Sequence, residues 1–123
     1  MRDELILLAL YNFSQISIQN NMRIEVDFSL LTTTSAVGRV SGSMEFSCVP
    51  RVGETVSFGL VVDSASKFSG QLTVEHVVRL PNTDSLPLVS LSDVVAANDA
   101  SGHTLGNLFS EKYGLFFEPY NDV

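Results

Sequence analysis

The stretch Met22-Arg23-Ile24-Glu25-Val26-Asp27-Phe28-Ser29-Leu30 decides the fold, because apolar and polar residues alternate over nine consecutive positions. Side chains along a strand point alternately to opposite faces, so this pattern puts Met22, Ile24, Val26, Phe28 and Leu30 on one side. Arg23, Glu25, Asp27 and Ser29 fall on the other. A helix would distribute the same apolar residues around its whole circumference and bury none of them well. The stretch therefore predicts a strand with one face in a core and one in water.

Outward from it, the period persists. Thr32-Thr33-Thr34-Ser35 predicts a loop, followed by a second strand over about residues 38–48. Val40, Gly42, Met44, Phe46 and Cys48 share its apolar phase, and Gly42 marks a bulge or a close approach. Pro50-Arg51-Val52-Gly53-Glu54 predicts a turn, with Pro fixing φ and Gly free to take a positive one. Over Pro50 to Val56 the chain resembles a turn common in SH3-like and other small barrels, a likeness of seven residues that many hairpins share. A third strand is expected over 55–62 and a loop over 63–70. A fourth is expected over 71–80, with Leu72, Val74, His76, Val78 and Leu80 inward. Pro81-Asn82-Thr83-Asp84-Ser85 breaks it, and a fifth is expected over 86–95, although Val94-Val95-Ala96-Ala97 equally suits the start of a helix capped by Ser92.

The period then changes. Leu105, Leu108, Phe109 and Tyr113 recur at helical spacing, which predicts a helix over about 101–113 with Ser101 or Asp99 at its start and Gly114 at its end. Gly102 and Gly106 weaken such a helix by up to about 1 kcal/mol each relative to Ala, so packing must offset them. Leu115-Phe116-Phe117 continues as an extended segment. Five strands, short turns and one helix give a mostly β, α+β expectation: a small five-stranded antiparallel sheet or partly open barrel with one C-terminal helix and an apolar N-terminal segment. Residues 1–21 read as that segment, packed on the domain or on a second chain, and 22–123 as a single β-rich domain. Met22 equally suits the start of the globular unit.

The apolar run Leu5-Ile6-Leu7-Leu8-Ala9-Leu10-Tyr11 has seven residues; a membrane-spanning helix needs roughly 20. Asp3 and Glu4 follow Arg2, unlike the basic start of a secretory signal. With one cysteine and no disulfide framework, the chain reads as cytoplasmic, with no membrane partner. Fourteen acidic and seven basic residues give a net charge of −7, which argues against nucleic acid as a partner. A contiguous stripe of Arg23, Arg39, Arg51 and Arg79 would reverse that expectation.

Few residues suggest chemistry. Ser64-Ala65-Ser66-Lys67 matches the S-x-x-K spacing of penicillin-binding enzymes, but the accompanying Lys-Thr-Gly is missing. Cys48 reads as a buried small hydrophobe. His76 reads as a core-edge histidine or, in a catalytic or ligand-binding alternative, as a base, with Asp93 and His103 contributing to a site at a barrel mouth. The two histidines lack metal-ligand spacing, so no metal and no cofactor are expected.

Charge placement carries more. Residues 82–123 hold Asp84, Asp93, Asp99, Glu111, Glu118 and Asp122 against Lys112 alone, a net of −5. Such a region attracts a basic partner. Phe116, Phe117 and Tyr120 beside Glu118 and Asp122 are the expected partner-binding residues. The chain therefore reads as a non-catalytic, acidic protein–protein interaction domain of the inhibitor, immunity or adaptor kind, self-associating through its N-terminal run. The alternative is a small-ligand-binding or hydrolytic small barrel with its site near His76.

Overall fold

The structure, a computed structural model, describes residues 21–59 and 68–120. In chain order the elements are β1 (Met22–Leu31), β2 (Ala36–Phe46), β3 (Thr55–Ser57), β4 (Gln71–Val78), β5 (Leu88–Leu91), β6 (Val94–Val95), α1 (Asp99–Tyr113) and β7 (Phe116–Pro119). The expected α+β class holds, with seven strands among the described residues in place of five. The apolar run and the Ser64–Lys67 spacing lie outside the described residues.

β1 behaves as its alternation requires: Ile24, Val26, Phe28 and Leu30 are buried, and Glu25, Asp27 and Ser29 face outward between neighbouring strands. It pairs antiparallel with β2 in a hairpin running from Met22 opposite Phe46 to Leu31 opposite Ala36. The strand order is β3-β4-β5-β1-β2-β7, with β6 also on β1. The sheet is not all antiparallel, because β5 and β6 both run parallel to β1. They are two halves of the expected fifth strand. Between them the chain turns aside at Ser92, whose N–H donates to Thr73 O and whose hydroxyl accepts from Thr73 N–H.

The sheet curls without closing. Phe58 follows β3 at one edge, three strands away from β1, which in a flat sheet is about 14 Å. Its ring nevertheless lies 6.1 Å from Phe28 of β1 and 5.2 Å from Phe109 of α1. The curl brings β3 toward the far end of β2, and Val56 lines one hollow of about 420 Å³ with Met44 and Phe46. Among the described residues no strand pairing crosses that seam.

α1 covers the inner face. Asn98, not Ser101 or Asp99, caps it: the Asn98 side chain accepts from Ser101 N–H at 2.8 Å and the Ser101 hydroxyl accepts from Asn98 N–H at 3.1 Å. Ser35 in the β1–β2 turn donates to Asp99 at 3.0 Å, which ties the start of the helix to the sheet. Leu105 and Phe109 are fully buried, and Phe109 meets Phe28, Phe58, Phe68 and Tyr113. Gly102 and Gly106 form the helix face that touches the sheet. A Cβ on Gly102 would sit 2.9 Å from Val37, and one on Gly106 2.5 Å from the Phe117 ring.

Candidate functional site

The chain reverses at Gly114, whose φ of 67° is left-handed, so β7 returns along β2 and becomes the edge of the sheet. Ser41 faces Phe116, Arg39 faces Glu118, and Tyr120 N–H donates to Val37 O at 2.9 Å, extending the ladder by one residue. Period two then separates the expected partner-binding residues. Phe116, Glu118 and Tyr120 point outward, with Phe116 63% and Tyr120 43% exposed. Phe117 turns the other way and is half-buried between Gly106, Gly38 and the His103 ring. It fills the helix–sheet contact. Asp122 lies outside the described residues.

Glu118 stands opposite Arg39, yet Arg39 is engaged elsewhere, by Asp27 at 2.6 Å. Among the described residues Glu118 has no ion pair, so β7 offers an unneutralised carboxylate between two exposed aromatic rings. The acidic groups of α1 do not form one cluster. Asp99 opens α1 and Glu111 lies near its other end, a separation of about 18 Å along the helix axis.

The alternative triad does not assemble. β4 is bulged: Val74 faces Leu91 and His76 faces Ser90, leaving Glu75 as the extra residue. One extra residue flips the phase that follows. His76 is therefore exposed on the outer face, and Val77 takes the inward position expected for it. His103 sits on α1, over the inner face, edge-on to Phe117 at 5.7 Å. Asp93 is exposed beside a hollow of about 250 Å³ with Gln71 and Leu72. Among the described residues no hydrogen bond or ion pair joins any two of the three, and no three His, Cys, Asp or Glu side chains come together as a metal site requires.

Cys48 is exposed, not buried, because β2 ends at Phe46 and its phase lapses two residues earlier than expected. The arginines form no stripe. Arg23 pairs with Glu45 at 3.6 Å and Arg39 with Asp27, both on the outer face of the hairpin; Arg39 lies toward its turn, while Arg51 and Arg79 lie at the other end, against Met22. Every buried side-chain polar atom among the described residues is bonded, so the core holds no polar group awaiting a ligand. No helix among them is long and apolar enough to cross a membrane. Compared with family models, with curated proteins and with solved structures, the chain finds no match.

Proposed function

We propose that this chain is a non-catalytic domain that acts in the cytoplasm by binding another protein, in the manner of an inhibitor, an immunity-type protein or an adaptor. The observation that carries the reading is the outer face of β7, where Phe116 and Tyr120 stand exposed on either side of Glu118. Aromatic residues at the surface cost burial free energy when left in water, and they supply most of the affinity where interfaces place them. A matching partner presents an apolar hollow for Phe116 and a basic group for Glu118, in keeping with the chain's net charge of −7. Self-association through residues 5–11 belongs to the same reading.

The test is a photoreactive amino acid placed at position 116 of the full chain in its native cell, compared with one at Val95, another exposed apolar site. A discrete adduct from position 116 and none from position 95 supports the reading. No adduct at 116, or equal labelling at both, overturns it.

A further inference from the structure

The opposite end of the sheet carries two arginines, Arg51 and Arg79, that have no ion pair among the described residues. β1 begins there at Met22, β4 ends there at Val78, and residues 47–54 cross it on their way from β2 to β3. They border an open hollow of about 560 Å³ lined by Met22, Val49, Val52 and Val77 together with Arg51 and Arg79. Met22 and Val77 stand on the inward phase of their strands, so the hollow is the mouth of the curled sheet, a place where small barrels hold ligands. Its position was not legible in the sequence, because the bulge at Glu75 is what brings Val77 to it. Among the described residues neither Arg51 nor Arg79 has an ion pair, while Arg23 and Arg39 each have one. The Glu54 carboxylate accepts from the Arg51 backbone N–H rather than from its guanidinium, so both guanidinium groups on this apolar hollow are without a carboxylate partner among the described residues.

We propose that this mouth binds a carboxylate carried on an aliphatic body. Arg51 and Arg79 hold the carboxylate, for which the guanidinium fork has matching geometry, and Val49, Val52 and Val77 cover the hydrocarbon. A neutral amphiphile finds the walls and not the cations; a bare anion finds the cations and not the walls. The same chemistry is offered by a free fatty acid and by a Glu side chain among aliphatic residues of a peptide. The site is separate from β7, and its success or failure leaves the reading of Phe116 and Tyr120 untouched.

The experiment is a nuclear magnetic resonance titration of the full chain with decanoate, with the capped peptide Leu-Glu-Leu-Leu, with decanol and with acetate. Decanoate or the peptide is expected to shift the Val49, Val52 and Val77 signals, and decanol and acetate to bind at least about ten-fold more weakly. The tighter of the first two identifies the source. Arg51→Gln with Arg79→Gln is expected to weaken binding about ten-fold or more. Should the double variant unfold, the two single variants are read instead, each expected to weaken it measurably. Equal binding of decanol and decanoate, full retention by the variants, shifts centred away from the hollow, or no shift with either ligand overturns the proposal.

Discussion

The half of the sheet beneath α1 and the half that ends in β3 bury their apolar faces by different means. Under the helix, closure is by backbone approach: Gly102 meets Val37, Gly106 meets Phe117, and no atom fits between. At the other edge, closure is by reach, with Phe58 extending back to Phe28 and Phe109 while, among the described residues, no pairing joins the far end of β2 to β3 across a hollow. The first arrangement tolerates almost no added volume. The second leaves apolar rims in water, with Val52 64% exposed and Leu80 58%. The helix half is thus sensitive to added volume, and the open half far less so.

The comparison can be broken at its centre first. Phe109 joins the two halves, and Phe109→Ala is expected to remove about 3–5 kcal/mol from the unfolding free energy measured by denaturant titration. A smaller loss would mean that the halves do not share a core. Next comes the close contact itself. Gly106→Val forces Phe117 aside and is expected to cost about 1–3 kcal/mol, part of it recovered by pairing it with Phe117→Leu in a double-mutant cycle. Additive costs would show that the two residues do not press on one another.

The cap gives an intermediate effect. Asn98→Ala is expected to cost about 1 kcal/mol, and Asn98→Gly much less. At exposed side chains the effect should nearly vanish in either half: Val52→Ser on the open rim and Phe116→Ser on β7 are expected to change stability by no more than about 0.5 kcal/mol. A loss above about 1 kcal/mol at Val52 would mean that the rim is covered in the folded chain, and the contrast between halves would have to be redrawn. Cys48, exposed beside the open seam, should react with iodoacetamide in the native chain as an unhindered thiol does, without loss of fold.

Local pattern made some of this legible and long-range pairing hid the rest. Ile24 to Leu30 could be assigned to the core because period two is a property of neighbouring residues, and the helix stripe of Leu105 and Phe109 is local in the same sense. The parallel pairing of β1 with β5 depends on which edge a strand meets after more than fifty intervening residues, and nothing in either stretch encodes that choice. His76 was misplaced because the bulge at Glu75 has no sequence mark: Glu75 fits an outward position in either phase. Gly102 and Gly106 were visible as weak helix formers, but the bulky partners that require them, Val37 and Phe117, lie on other elements. Phe116 and Phe117 read as one aromatic pair until β7 paired with β2 and sent them to opposite faces. The candidate surface was thus half legible, and the arginines of the sheet mouth were not.

The last residue of β7 limits how a partner can be recognised. In the register with β2, the N–H groups of Glu118 and Tyr120 turn toward β2, so the nitrogens of Phe117 and Pro119 point to the open edge. Pro119 has no hydrogen to donate, which leaves a single outward amide over the four residues. A strand laid alongside would find its carbonyls half unanswered, and copies of this chain are discouraged from stacking into ribbons by the same omission. If β7 is the proposed docking strand, its partner is told apart by side-chain shape and charge, a form of recognition that a few substitutions can redirect.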